Sequence, residues 1–532
     1  MKRSAVSSSA RRRLRIGRNV VGARSKPGGS MLEGVPSQRP GTTPFLMALG
    51  GTTMAHRLCC IAVLMLFCIA PGFADTEPPV PLAPAVENFV RYDAPLIAIR
   101  HVRVIDGTGA PARAGQTLVI NAGRISSVGP DAAVSVPAGA SIIDGAGRTI
   151  IPGLVGMHNH LFYLVGDQPV GHAMYVSFPR MYLAGGVTTI RTAGSMEPYA
   201  DLNLKGAIDA GRVPGPHIDV SGPYISGPRS RLYMDIPRNP HEVTEAVNYY
   251  ADIGVTSFKA YAFVTKASLG ALITAAHRRH IKVAGHLCSV TFHDAISLGI
   301  DSLEHGIEVA TDFDRAKRPD ECPPSAEHAQ TLRDLDIEGA PVQRLIHELV
   351  SHQVAITSTL AVIETGAPDR FPPQQRMLDS LDAQARIDYL SARSGLLAAK
   401  GNPSAEILKK EMQFERDFVN AGGLLMAGAD PTGYGGAVAG FADQRNLELL
   451  VEAGFTPEQA VKIATANGAA FEGRLNTIGT IASGKNADLV LIDGNPSANI
   501  ADVEKVDTVF KDGIGYDSAK IFKAMAGQVG RQ

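Results

Sequence analysis

Six side chains in this chain are of types that bind divalent cations: His158, His160, Lys259, His286, His305 and Asp430. Each stands at or near the end of a short apolar run. One residue separates His158 from His160, so in an extended strand both imidazoles face one side and Asn159 the other. Imidazole suits zinc and similar borderline cations. Lys259 lies inside Phe258-Lys259-Ala260, where a lysine is rare without a partner. Burial favours its neutral amine, and a neutral amine can add CO2 to become a carbamate, an anion with two oxygens able to bridge two metals. His286 and His305 close Ala284-Gly285-His286 and Leu303-Glu304-His305, and Asp430 follows Met426-Ala427-Gly428-Ala429. Singly, each has an ordinary reading: a structural histidine, a snorkelling lysine, a helix-capping aspartate. Together they make a site for two divalent cations, zinc foremost, and an activated water, with Asp430 as metal ligand and proton carrier. That is the chemistry of a hydrolase.

Residues so far apart in sequence need a scaffold that gathers strand ends. From about 151 to 474 the chain alternates short apolar strands with helical stretches, a pattern of parallel strands and crossover helices. Eight strands are expected, around Gly156–His158, Val187–Arg191, His217–Val220, Ser257–Ala260, Lys282–His286, Ser302–His305, Ala355–Thr359 and Leu424–Gly428. Helices are expected over Pro240–Ile253, Lys266–His280 and Pro457–Gly473, with Gly254, Gly299 and Gly422 where helices should stop. This reads as an α/β chain with a (β/α)8 TIM-type barrel, whose strand ends aim side chains at one central spot. The segment between strands 7 and 8 is long and should carry extra helix.

Strand-and-turn chemistry of another kind flanks the barrel. Alternating β-branched residues broken by Gly, Asp and Pro fill 95–150, and the same style returns over 475–515. These two pieces are expected to form one small composite β-sandwich domain built from both chain ends. Proline-rich 75–94 reads as a linker and 516–532 as a C-terminal tail.

The first 74 residues differ in kind. Residues 1–53 carry ten Lys or Arg and a single acid, Glu33, and read as a non-native or disordered extension. Met54-Ala55-His56-Arg57 then leads into an apolar run of 13 residues, Leu58 to Ala70, ending Pro71-Gly72-Phe73-Ala74. A basic start, a short apolar core and small residues before the cleavage point describe a signal peptide over 54–74, and the run is short for a bilayer span. A secreted or periplasmic location is expected, with no stable membrane association after signal removal. The chain left after cleavage is mildly acidic and has no Trp, so neither nucleic acid nor anionic lipid is an expected partner. A homo-oligomer is left open. Of five cysteines only Cys288 and Cys322 would remain. An oxidising compartment permits a disulfide between them, and two free thiols are equally compatible with the sequence.

The pattern resembles the amidohydrolase superfamily, in particular its imidazolonepropionase-like branch, which includes prolidase-type metal-dependent dipeptidases. The resemblance covers nearly all of 97–515. It rests on Pro152-Gly153-Leu154-Val155-Gly156-Met157-His158-Asn159-His160, Gly186-Val187-Thr188-Thr189-Ile190-Arg191, the Lys259 strand, Gly285-His286, Glu304-His305-Gly306, Ala429-Asp430 and the closing Gly484-Lys485-Asn486-Ala487-Asp488-Leu489-Val490. By that resemblance His158, His160 and Asp430 bind the more buried metal, His286 and His305 the other, and carboxylated Lys259 bridges them. A bridging hydroxide attacks the scissile carbonyl, and Asp430 acts as general base and then general acid. The expected substrate is a small amide such as a dipeptide or N-acyl amino acid. The same machinery could open a cyclic amide, a lactone or an ester. Mononuclear deaminases of the superfamily use a glutamate soon after the strand-5 histidine, and Leu287-Cys288-Ser289-Val290 offers none. A non-catalytic binding protein should have lost a ligand, and all six are present. Tyr224, Arg229, Arg231 and Tyr233 on the loop after strand 3, with His172 and Tyr261, fall near the expected mouth as possible substrate contacts.

Overall fold

The computed structural model describes residues 81–531 apart from 166–169, 231–233, 371–372 and 433–435. The 1–53 extension, the 54–74 signal segment, Arg231 and Tyr233 lie outside the described residues.

Eight parallel strands form the centre, and we number them β1 to β8. They are β1 (Leu154–Asn159), β2 (Val187–Thr192), β3 in two pieces (His217–Asp219 and Ser221–Ile225), β4 (Ser257–Ala260), β5 (Lys282–Gly285), β6 (Ser302–Glu304), β7 (Ala355–Ser358) and β8 (Leu425–Ala427). Each pairs in parallel with its neighbour, from Ile190 opposite Gly156 to Thr357 opposite Met426. The ring closes at its C-terminal rim, where the Asp430 N–H donates to the His158 carbonyl at 2.9 Å. Lys259 sits opposite Tyr224 on one side and Ala284 on the other, so this register brings the site-bearing ends of β3, β4 and β5 level.

The crossover helices start and stop where the side chains dictate. Asn239 caps Pro240–Asp252 by accepting from His241 and Glu242 N–H, and Thr265 and Thr291 cap Lys266–Arg278 and Phe292–Leu298 in the same way. Gly299 ends the last of these at φ 86°, a conformation that costs glycine nothing. Pro457–Gly473 is not one regular helix: Ile463–Asn467 forms a π-helical turn within it. The segment between β7 and β8 carries Leu360–Glu364, Gln375–Ser380, Ala383–Ala398 and Ser404–Asn420.

The flanking pieces form one sheet of nine strands, in the order Val90–Tyr92, Ile514–Asp517, Val506–Lys511, Leu489–Ile492, Thr149–Pro152, Leu96–Val104, Arg113–Asn121 and Arg124–Pro130, with Ser141–Asp144 also paired to Leu96–Val104. The two chain ends meet where Leu489–Ile492 runs antiparallel to Thr149–Pro152. Alternation along these strands divides two cores. Leu489 and Leu491 pack with Ile97, Ile99, Leu118 and Phe510, while Val490 and Ile492 join the barrel's own core. The stretch expected as linker carries a helical turn, Pro84–Glu87, and the edge strand Val90–Tyr92. The expected tail folds as Ser518–Ala524, capped by Asp517 and anchored by buried Ile521. Buried Val86 and Phe89 anchor the first of these stretches. Cys288 and Cys322 are disulfide-bonded. Among the described residues no helix is long and apolar enough to cross a membrane.

Candidate metal centre

All six side chains expected to bind metal lie at the C-terminal rim of the barrel. His158, His160, Lys259 and His305 are at most 3% exposed, and Asp430 is 7% exposed. Lys259 Nζ is 3.1 Å from His158 Nε2. Asp430 Oδ1 lies 3.0 Å from His160 Nε2 and 3.6 Å from His158 Nε2, and its Oδ2 lies 3.9 Å from His305 Nε2. The His305 ring packs against His158 and His286, each with centroids 4.6 Å apart. His158, His160 and Asp430 are the tightest set, with ligand atoms all within 4.8 Å of one another.

Backbone geometry delivers two of these groups. His305 has φ 65° and Asp430 φ 45°, left-handed conformations that cost on the order of 1–3 kcal/mol and cluster at functional sites. At His305 this turn lets consecutive residues serve one site, because Glu304 also points in. Asn159 does face away from the two imidazoles on either side of it. Its side chain accepts from Ala429 N–H and donates to Asp443, each at 3.1 Å, which ties β1 to the loop that carries Asp430. Gly428 permits the close approach: a Cβ there would lie 2.4 Å from the backbone N and Cβ of His158.

Hydrogen bonds behind the imidazoles orient them. Glu304 Oε2 lies 2.7 Å from His158 Nδ1, and Arg191 donates to Glu304 Oε1 at 2.8 Å and to the Met157 carbonyl at 2.9 Å. Burial alone would raise Glu304, but Lys259, His158 and Arg191 hold it well below the usual carboxylate range. An ionised carboxylate only accepts, so His158 Nδ1 carries the proton and Nε2 turns its lone pair into the site. Thr359 Oγ1 engages His305 Nδ1 at 2.7 Å, leaving Nε2 to face Asp430. Tyr224 Oη stands 3.3 Å from His160 Nδ1. Sequence reasoning gave Glu304, Arg191 and Thr359 no role. The available signal was an opposite-charge pair, Arg191 and Glu304, inside otherwise uncharged strands.

Burial lowers His160 to about 4 and His286 to about 3, and it carries His305 well below its ordinary value. Burial also brings Lys259 down to about 8, against the pull of Glu304 and Asp430. For Asp430 burial is outweighed by the imidazoles of His158, His160 and His305, and the carboxyl stays ionised. His160 and His305, both lowered by burial, thus face a carboxylate whose Oδ1 has no hydrogen-bond partner. Such an arrangement coheres with a cation between the groups, so the donor set fits metal.

The Phe162 ring lies tilted 4.7 Å from His160 and the Tyr261 ring tilted 4.7 Å from His286. With Leu164, Met196, Tyr224 and Met234 they make an apolar cluster beside the site. His172 instead bonds the Gly530 carbonyl at 2.7 Å, and Arg229 lies over the Phe263 ring.

The Amidohydrolase family model matches residues 149–514. A bottromycin amidohydrolase structure superposes with a TM-score of 0.65 at 21% identity, covering 85% of this chain and 95% of that one. A Xaa-Pro dipeptidase with bound methionine gives 0.60 at 21% identity, covering 79% and 100%. At those identities the likeness is one of fold. An enamidase from Eubacterium barkeri is 34% identical over 86 residues, 16% of this chain and 22% of the enamidase.

Proposed function

This chain belongs to the amidohydrolase family, and we propose that it is a hydrolase that holds two divalent cations, zinc foremost, and cleaves the amide bond of a small substrate such as a dipeptide or N-acyl amino acid. The observation that carries the two-cation reading is Lys259. Its amine is buried at the centre of the site, its polar contact is His158 Nε2, and among the described residues no carboxylate pairs with it. Burial lowers that amine to about 8, which enlarges its neutral fraction. A neutral amine that attacks CO2 gains an N–C bond, loses a proton and becomes a two-oxygen anion among the imidazoles.

His158, His160 and Asp430 would hold one cation and His286 and His305 the other, with carboxylated Lys259 between them. Bound there, the cations supply Lewis acidity and a water acidified towards neutrality. Asp430, kept ionised, accepts the proton of the attacking water and delivers it to the leaving amine. Glu304 and Thr359 hold their imidazoles in place throughout. The apolar cluster around Phe162, Tyr224 and Tyr261 excludes water from one flank and favours a substrate with an apolar group beside the scissile bond.

The deciding experiment screens the purified, zinc-loaded chain against dipeptides, N-acyl amino acids and lactones, with metal content measured alongside. Turnover of an amide supports the reading. Turnover of lactones or esters alone would move the assignment to the alternative substrate class, and absence of both metal and turnover would leave a binding protein. The signal-like segment at 54–74 and the Cys288–Cys322 disulfide support a secreted or periplasmic site of action, since such bonds persist in oxidising compartments.

A further inference from the structure

A second cluster of metal-ligating groups lies at the opposite end of the barrel. His217 opens β3 at its N-terminal end, Asp488 immediately precedes the strand Leu489–Ile492, and Asp512 forms the turn between Val506–Lys511 and Ile514–Asp517. Their ligand atoms all lie within 4.8 Å of one another. His217 Nε2 is 3.2 Å from Asp512 Oδ2 and 4.0 Å from Asp488 Oδ2.

The partners of each atom are informative. Asp488 is 5% exposed. Its Oδ1 accepts the Asp512 N–H at 2.8 Å, while its Oδ2 is buried without a hydrogen-bond partner. His217 Nε2 is also buried and, despite its short distance to Asp512, has no hydrogen-bond geometry to either carboxylate. Lys511 Nζ lies 3.1 Å from Asp512 Oδ2 and balances one of the two negative charges. Two buried polar atoms, His217 Nε2 and Asp488 Oδ2, thus lie 4.0 Å apart with no hydrogen-bond partner, which is costly. A cation seated among Nε2 and the two Oδ2 atoms would satisfy both.

We propose that His217, Asp488 and Asp512 hold a further divalent cation, structural rather than catalytic, that pins the base of the barrel to the composite sheet. One imidazole and two carboxylates suit zinc, with water completing four-coordination. The His217 and Asp512 side chains remain 21% and 44% exposed, which gives the ion an entry path. The three ligands come from β3, the strand that meets Thr149–Pro152, and the last hairpin. One ion would therefore join elements from the middle and the far end of the chain. None of these residues touches the site at the C-terminal rim.

The test is metal counting on the full chain, stripped with chelator, reloaded with Zn2+ and desalted, beside His217→Ala and Asp512→Asn prepared identically. Asparagine tolerates the left-handed backbone at position 512 (φ 51°), so that variant keeps the turn. The expected result is one zinc equivalent fewer in each variant than in the parent, a smaller rise in Tm on reloading, and unchanged turnover. The comparison is a difference, so it stands whether the rim site holds one cation or two. Equal zinc content in parent and both variants would overturn the proposal, as would loss of rim-site turnover in step with the lost equivalent.

Discussion

Arg191 and Glu304 meet inside the barrel, Nη2 to Oε1 at 2.8 Å, with side chains 2% and 0% exposed. The second Glu304 oxygen accepts a hydrogen bond from His158 Nδ1, so the ion pair and this imidazole form one chain of contacts from β2 through β6 to β1. Removing either partner strands a buried charge, a loss of roughly 3–5 kcal/mol.

From that chain it follows that Glu304→Gln keeps the shape of the side chain but weakens the hold on the His158 tautomer. Outer contacts of this kind are worth roughly 10- to 100-fold in metal affinity. Chelator competition should show zinc bound more weakly by that order. Wild-type zinc affinity in the variant would remove Glu304 from the account of the site.

Lys259→Ala and Asp430→Asn should each lose nearly all turnover while keeping the far-ultraviolet circular dichroism of the parent. For Asp430 the loss of proton transfer alone is worth about 10²- to 10⁴-fold. Near-normal rates in either folded variant would end the proposed mechanism.

Gly428→Ala would set a methyl group 2.4 Å from the His158 backbone N and Cβ. Overpacking of this sort costs about 1–3 kcal/mol, and here the atoms that must yield carry a metal ligand. Thermal melts and zinc titration should both register the change. A variant with parental Tm and parental zinc affinity would show that β1 and β8 can part without harm to the site.

Acid should destabilise the metal-free protein early. His160 and His286 have folded-state values of about 4 and about 3, lowered by burial from 6.5. Between those values and 6.5 the unfolded chain binds more protons, so stability rises with pH across that window and falls as pH drops through it. Urea midpoints of the stripped protein should decline from about pH 6.5 down to about pH 4. A flat profile there, with His160→Gln behaving like the parent, would show that these imidazoles are not buried neutral.

Lys259 brings a second pH effect of opposite use. Its amine is lowered to about 8 by burial, so the neutral form needed for reaction with CO2 grows as pH rises through that value. At equal dissolved CO2, reactivation of the stripped enzyme by Zn2+ should be faster at pH 9 than at pH 7, and Lys259→Ala should show no bicarbonate effect. Bicarbonate-independent reactivation of the parent would leave the carbamate without support.

The sequence alone determined the barrel and singled out the six residues that the structure gathers at its rim. Strand periodicity, glycine stops and the His-x-His spacing are local signals, and each survives folding unchanged. Asn159 turning away from His158 and His160 is of this kind, since adjacent strand residues face opposite sides. Only the tertiary structure decided what surrounds those six. Glu304 enters the site because His305 turns left-handed, which strand alternation does not foresee. Thr359, Arg191 and Tyr224 act through contacts across 54 or more positions of chain. The same holds for His217 with Asp488 and Asp512, for Val90–Tyr92, which pairs with Ile514–Asp517, and for Ser518–Ala524, whose Ser518 hydroxyl donates to the Ala184 carbonyl. Local propensity carries no record of which distant surface a residue will meet, and burial, tautomer and charge balance are set by that meeting.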